Sequence, residues 1–274
     1  MEYSTKYSKT LHVSIPFKTN RILYEHLIRQ DGQEDLVFCL WYPSSGKERF
    51  TALIHDVILP KNGDRNVHGN VSFNYKYFKR VCEIALKKKC GVAFLHSHPG
   101  KGWQHMSYDD VKAENRMAPT VETITGLPLL GLTISIDNIW SARFWEYRKN
   151  KYERKWAKSV KVIGKEYFLC FDNTQVVKYS QNDHLIRTVS IWGHHKQELL
   201  QNITVGIVGL GSVGSIVAET LSRMGLVNLI LIDFDKVEKH NLDRLIGVTK
   251  KDIGKFKVDV IKKSRECSLN CVSF

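Results

Sequence analysis

The sequence predicts an α/β protein in two parts. A mixed α/β domain is expected over residues 1–150 and a partial, Rossmann-like parallel α/β domain over 203–274, with a linker and lead-in segment at 151–202 between them. Three observations lead there. In the front part, apolar runs of strand length alternate with segments of helical period. Residues 148–160, RKNKYERKWAKSV, carry a run of charge that reads as a solvated linker. From Ile203 the pattern becomes strand, glycine turn, helix, strand, and parallel strands need such a crossover helix.

Taken in order, residues 22–28 read as an amphipathic segment and 36–41 and 52–59 as strands, followed by a loop rich in Asn and Gly at 61–70. A helix is predicted over 75–88, where Tyr77, Phe78, Val81, Ile84 and Ala85 recur at three and four spacing, and a strand over 91–95. A polar loop then leads into a helix at 108–116, and 129–136 and 140–147 read as returning strands. Residues 160–179 alternate like a β-hairpin turning near Asp172 and Asn173, and 194–200 reads as a helix entering the rear domain, with strands at 204–208 and 229–232 around a helix at 215–223.

Composition narrows the classes. With 43% hydrophobic residues the chain can bury a core, and no uncharged stretch approaches the roughly 20 residues of a membrane helix, so a cytoplasmic protein is expected. Cys39, Cys82, Cys90, Cys170, Cys267 and Cys271 form no CxxC pair, which argues for free thiols; Cys267 and Cys271 together would make only half a metal site. The 41 Lys and Arg against 28 Asp and Glu give a net charge of +13, which would suit nucleic acid, yet the basic residues are scattered and lack aromatic interleaving. Nucleic acid is therefore not expected as the main partner.

His96-Ser97-His98 ends an apolar strand, and alternate strand residues point the same way, so both imidazoles can face one ion. Ser107 to Asp110 opens a helix whose first turn can bring the Asp110 carboxylate back to that ion. The same Ser-x-x-Asp is also an ordinary helix-capping signature. Two His, one carboxylate and an open position are what a catalytic zinc site requires.

HSHP followed by SxxD, with a Glu far upstream, resembles the JAMM (JAB/MPN) metalloprotease family over roughly residues 20–145. The resemblance implies that His96, His98 and Asp110 bind Zn2+, that Glu34 is the general base and that Ser107 helps hold the oxyanion. Glu25 is the other upstream carboxylate, on a predicted helix that aims it elsewhere. Eight residues separate His98 from Ser107, a loop longer than the commoner family spacing, and His105 within it is a further imidazole near the site.

In the rear part, Gly209-Leu210-Gly211-Ser212-Val213-Gly214 lies between a strand and a helix, a place where backbone N–H groups can approach a phosphate, and Asp233 closes the next strand. The continuation DFDKVEKHNLDR and then DIGKFK resembles the ThiF-like adenylating family. That resemblance implies Gly209, Gly211 and Gly214 lining ATP, Asp233 or Asp235 at the ribose, and Asn241, Arg244 and Lys257 at the phosphates, with Mg2+ required. Arg187 resembles an arginine that reaches a neighbouring subunit, which implies a homodimer through this domain.

Together the resemblances imply an isopeptidase joined to an activating domain, with a ubiquitin-like or sulfur-carrier-like protein as partner and a conjugating enzyme nearby. The alternative is a binding module that recognises such tails without cutting them. The ThiF-like block stops at Phe274, before the later strands the resemblance implies, so this chain alone is expected not to adenylate a protein.

Overall fold

Strand-length apolar runs in the front region need hydrogen-bonded neighbours, and they find them in one mixed sheet. The computed structural model describes residues 9–68, 70–172 and 185–269, in two compact units, Met1–Gln175 and Val176–Phe274.

The front unit runs β1 (Thr10–Pro16), α1 (Phe17–Leu27), β2 (Leu36–Ser45), β3 (Arg49–Ile58), β4 (Arg65–His68), β5 (Asn70–Phe73), α2 (Tyr75–Lys88) and β6 (Gly91–Ser97). It continues with α3 (Tyr108–Thr125), β7 (Leu129–Ile134), β8 (Trp140–Arg148), β9 (Lys151–Trp156), β10 (Ser159–Ile163) and β11 (Phe168–Phe171). Nine strands form one sheet in the order β11, β10, β1, β3, β2, β6, β7, β8, β9, while β4 and β5 make a separate hairpin. Pairing is parallel at β1–β10, β1–β3 and β6–β7 and antiparallel elsewhere in the sheet.

Both faces of the sheet are covered. On one, Leu23 and Leu27 of α1 pack with Val13, Val37, Leu95 and Leu132. On the other, Tyr77, Val81 and Ala85 of α2 and Met117 and Val121 of α3 pack with Phe38, Phe94 and Leu129. β6 lies between β2 and β7 and is buried along its whole length, which is why GVAFL reads as a continuous apolar run. Asn74 caps α2, its side chain accepting from the Tyr77 N–H at 3.1 Å, and the helix ends at Lys89 in the left-handed region.

Three expectations need correction. Residues 151–171 are not a linker: β9, β10 and β11 belong to the same sheet, β9 at one edge and β11 at the other. β9, KYERKW, is charged because an edge strand is only half covered, and charge there also discourages pairing with another chain. The hairpin of β10 and β11 turns within 164–167, before Asp172; Asn173 lies outside the described residues. Part of the expected loop at 61–70 is the hairpin strand β4, and β1 is a strand that periodicity did not mark.

The rear unit contains α4 (Ile186–Trp192), α5 (His194–Asn202), β12 (Thr204–Val208), α6 (Ser212–Arg223), β13 (Asn228–Ile232) and α7 (Lys257–Leu269). β12 and β13 are parallel, with α6 as the crossover. Ile207, Leu229 and Leu231 pack with Ala218 of α6 and Ile261 of α7. The alternate residues Val208, Ile230 and Ile232 stand 81%, 54% and 50% exposed, so one face of this small sheet is uncovered among the described residues.

Cys39, Cys82, Cys90 and Cys170 are buried free thiols. Cys271 lies outside the described residues, and with it the pairing considered with Cys267. Among the described residues no helix is long and apolar enough to cross a membrane.

Candidate functional site

His96 is the penultimate residue of β6, opposite Leu36 on β2 and Thr133 on β7, and is 2% exposed. Two residues on, the His98 N–H donates to the Ile134 carbonyl at 2.9 Å, which keeps both imidazoles on the α3 side of the sheet. Ser107 is the N-cap of α3: its Oγ accepts from the Asp110 N–H at 3.2 Å, and Asp110 Oδ2 accepts from the Ser107 N–H at 2.7 Å. Ser-x-x-Asp is therefore a capping box and a site element at once. The cap aims the Asp110 carboxylate at the two histidines.

The result is a tight triangle. Asp110 Oδ1 lies 3.3 Å from His96 Nε2, Asp110 Oδ2 lies 3.2 Å from His98 Nε2, and the two Nε2 atoms are 3.1 Å apart. Among the described residues these three form the group of His, Cys, Asp or Glu side chains close enough to hold a metal ion. Burial pushes the Asp110 carboxyl upward, but its hydrogen bonds with His96 and His98 outweigh that and hold it far below the usual carboxylate range.

Glu34 stands at the same place, its Oε1 4.0 Å from His98 Nε2. Glu25 pairs with Arg21 along α1 at 3.6 Å. His105 packs its ring on Trp156, centroids 5.8 Å apart, and is not one of the clustered donors. A cavity of about 230 Å³ beside His98 is lined largely by apolar groups, among them Leu27, Ile28, Pro99 and Ile136, with Glu34 in its wall.

Sequence reasoning missed Asp35. It is 1% exposed and follows Glu34 directly. Its N–H donates to Ser97 Oγ at 3.0 Å, and its carbonyl accepts from the Ser97 N–H at 3.0 Å, so the Glu34 segment is stitched to the residue between the two histidines. Its carboxylate accepts from the Leu36 N–H at 2.7 Å, from Arg65 Nη2 at 2.7 Å and from Arg29 Nη1 at 3.4 Å. Arg65 comes from β4, in a stretch that reads as loop. An acidic residue beside a candidate base was the available signal, but nothing in the spacing pointed to its cations.

In the rear unit the three glycines do different things. Gly209 takes φ 85°, a turn that favours glycine. A Cβ on Gly214 would meet the Gly209 carbonyl oxygen at 1.8 Å, so the first turn of α6 lies directly on the loop. Gly211 has no such neighbour within 4 Å, and the space before it is open to a ligand. Turn, ligand approach and close helix packing are the three roles a nucleotide-binding glycine loop requires.

The acidic residues are brought to the same loop. Asp233 Oδ2 accepts from the Leu210 N–H at 2.6 Å and Oδ1 accepts from the Asp235 N–H at 2.8 Å, so Asp233 braces the loop. Asp235 Oδ2 is 2.7 Å from Lys257 Nζ. Asn241 is buried, its side chain accepting from the Glu238 N–H at 3.0 Å, and Arg244 donates to the His240 carbonyl at 2.6 Å. Both are thus held by local partners. Arg187 is exposed on α4.

Strand, glycine loop, crossover helix and acidic strand end agree with a comparison against known families. Residues 183–267 match the ThiF family. Over 51 residues the chain is 51% identical to ubiquitin-like modifier-activating enzyme 5 of Caenorhabditis elegans, covering 19% of this chain and 12% of that protein. Over 70 residues the chain is 39% identical to the tRNA threonylcarbamoyladenosine dehydratase of Bacillus subtilis, covering 26% and 28%. Among solved structures, E. coli MccB with AMPCPP and MccA aligns at 30% identity and a TM-score of 0.30, covering 32% of this chain and 28% of that one. The chain thus spans under a third of the length of these relatives. Residues 183–267 are similar to ThiF-family domains, and part of the chain is similar to a ubiquitin-like modifier-activating enzyme.

Proposed function

We propose that the front unit is a zinc-dependent hydrolase of the JAMM type that cuts an amide or isopeptide bond at the tail of a ubiquitin-like protein. In the same reading the ThiF domain adenylates such a tail. The observation that carries the hydrolase reading is the triangle of His96, His98 and Asp110. Zinc bonds of about 2.0–2.1 Å in a tetrahedron put neighbouring ligand atoms roughly 3.3 Å apart, and the three separations are 3.1, 3.2 and 3.3 Å. A cap-directed carboxylate and two strand-end imidazoles would hold the ion with three ligands, a set that leaves it open to water and substrate.

Zinc bound there would supply Lewis acidity and lower the pKa of water to about 7. The chain's own groups do the rest. Glu34, near His98, takes the proton of the attacking water and returns it to the leaving amine as the C–N bond breaks. Ser107 uses its oxygen as an acceptor in the cap, which leaves its O–H to donate to the oxyanion. The mainly apolar cavity beside His98 suits an apolar stretch of such a tail, and buried free thiols suit a reducing cytosol.

In the ThiF domain, Gly211 leaves room for phosphates at the start of α6, and Asp235, half exposed, is better placed than the bracing Asp233 to meet a ribose hydroxyl. Lys257 must exchange Asp235 for a phosphate oxygen. A carboxylate oxygen then attacks the α-phosphate of ATP bound with Mg2+, and pyrophosphate leaves. The partners of this reading are a ubiquitin-like protein and a conjugating enzyme, with Arg187 at a homodimer contact.

Metal analysis of the wild type beside His98→Ala tests the first half: about one zinc per chain is expected, and lost in the variant. Equal zinc in both refutes the site. Zinc without cleavage of any ubiquitin-like fusion would favour a binding module. ATP–pyrophosphate exchange with a candidate ubiquitin-like protein tests the second half: no exchange is expected from this chain alone, and exchange that disappears in Lys257→Ala would overturn that expectation.

A further inference from the structure

The α3-facing side of the sheet carries an ion pair that the proposed chemistry does not use. Arg143 on β8 and Glu114 on α3 are both fully buried. Arg143 Nε donates to Glu114 Oε2 at 3.0 Å, and its Nη2 bonds Glu114 Oε1. The Trp145 indole N–H also donates to Glu114 Oε2, at 2.6 Å. Two charges taken so far from water are costly unless their geometry and remaining hydrogen bonds are satisfied, and apolar side chains there would hold the fold equally well. A purely structural reason for the pair is therefore weak.

Its contacts lead toward Asp110, His96 and the loop before Ser107. Glu114 is one turn beyond Asp110 on α3, and residues four apart share a helix face, so fixing Glu114 against the sheet fixes the facing of Asp110. The Arg143 Nη1 donates to Thr133 Oγ1, and that oxygen lies 3.4 Å from His96 Nε2. The guanidinium also lies 5.9 Å from the ring centroid of Trp156, its cross-strand partner on β9. Trp156 in turn contacts Trp103, at 5.9 Å, and His105, both in the loop that leads to Ser107.

Room for this arrangement is made by one residue. Gly131, opposite Arg143 on β7, has no side chain, and a Cβ there would stand 2.2 Å from Glu114 Oε2 and 2.6 Å from Arg143 Nε. The pair also cancels its own charge, so the guanidinium can lie this close to a cation site without repelling the ion.

The geometry points to Arg143 as a positioning residue that sets His96, Asp110 and the Ser107 loop in one register through Thr133, Glu114 and Trp156. This rests on the metal reading of His96, His98 and Asp110. Because His96 Nε2 would itself hold the ion, Thr133, fixed by Arg143, orients the ring by contact at its coordinating edge. Groups that orient metal ligands typically govern affinity by about 10- to 100-fold. The loop docking also gives a reason for the aromatic Trp103 and for Trp156 on a strand otherwise rich in charge.

The test uses the full chain, stripped of metal and loaded with Co2+ for its visible spectrum or with Zn2+ against a competing chelator. Glu114→Gln combined with Arg143→Met removes both buried charges together while Gln keeps an acceptor for Trp145. Thr133→Val keeps the side-chain shape and removes the hydroxyl through which Arg143 reaches His96, leaving the Arg143–Glu114 pair in place. Circular dichroism checks folding. Both variants are expected to bind zinc about 10- to 100-fold more weakly and to show an altered cobalt spectrum. Folded variants with wild-type affinity and spectrum overturn the role of Arg143 and leave the metal site standing. If the double variant does not fold, Thr133→Val decides by the same criterion. Absence of metal binding in the wild type refutes the site and this role with it.

Discussion

Gly211 and Gly214 are three residues apart in one motif, yet the structure assigns the same substitution opposite consequences. Gly214 is the third residue of α6, where helix propensity alone predicts that alanine stabilises by about 1 kcal/mol. A Cβ there meets the Gly209 carbonyl oxygen at 1.8 Å, well inside contact distance and against backbone that cannot rotate away. Overpacking of this kind costs about 1–3 kcal/mol, so Gly214→Ala is expected to destabilise the rear unit by about 1–2 kcal/mol, reversing the sign that propensity gives. Gly211→Ala meets nothing, and its extended backbone, φ −76° and ψ −155°, is open to alanine, so stability changes by less than about 1 kcal/mol. Its methyl group instead fills the space before the α6 N-terminus. Losing one charge-assisted N–H contact to phosphate, worth about 1.5–3 kcal/mol, weakens ATP by about 10- to 100-fold. Hydrogen exchange at α6 amides reads the local stability without assuming that two units melt together, and calorimetric titration reads ATP. A Gly214→Ala chain as protected as the wild type, or a Gly211→Ala chain that binds ATP equally well, refutes the assignment of roles.

In the front unit, Glu34→Gln is expected to keep zinc and lose turnover at least ~100-fold, since the amide conserves shape but accepts no proton; full activity would move the base elsewhere. Asp35→Asn leaves Arg65 and Arg29 short of their buried carboxylate. Both arginines are partly exposed and can turn to water, so a loss of about 1–3 kcal/mol is expected in urea unfolding, below the cost of breaking a fully buried pair. Turnover should fall with zinc retained, because the Asp35 carboxylate anchors the residue next to Glu34 to Arg65 and Arg29, while its backbone bonds to Ser97 remain; unchanged turnover would show that this clamp does not position the base. His12 supplies a pH test: burial, then the nearby Lys161, Lys158 and Arg49, depress its pKa from 6.5 to about 4. At pH 7 the ring is neutral folded or unfolded; between pH 6.5 and 4 only the unfolded chain takes the proton, so stability falls as pH drops through that window. At about 1.36 kcal/mol per pKa unit the loss approaches 3 kcal/mol, and His12→Gln should remove it from urea titrations at pH 7 and pH 4; an identical pH dependence in the variant would contradict this.

Both candidate sites were legible in the sequence because their information is local. His-x-His reads as two ligands because a strand has period two, Ser-x-x-Asp reads as a helix start because a cap spans three residues, and the glycine loop reads from its neighbours alone. These motifs lead to His96, His98, Asp110 and Gly209 to Gly214 without any knowledge of packing. Chain order also marked β12, α6 and β13, since a parallel pair demands the crossover. What spacing could not decide was every partner brought from a distance. The charge run at 151–156 looked like linker because an edge strand and a solvated segment are both polar, and only its pairing with β8 distinguishes them. Arg65 looked like part of a loop, and Arg143 lay unmarked inside the strand expected at 140–147; the fold turned one toward Asp35 and the other toward Glu114. A buried charge is stable only where its counter-charge arrives, and that arrival depends on how β4, α3 and β8 meet, which tertiary structure alone decides.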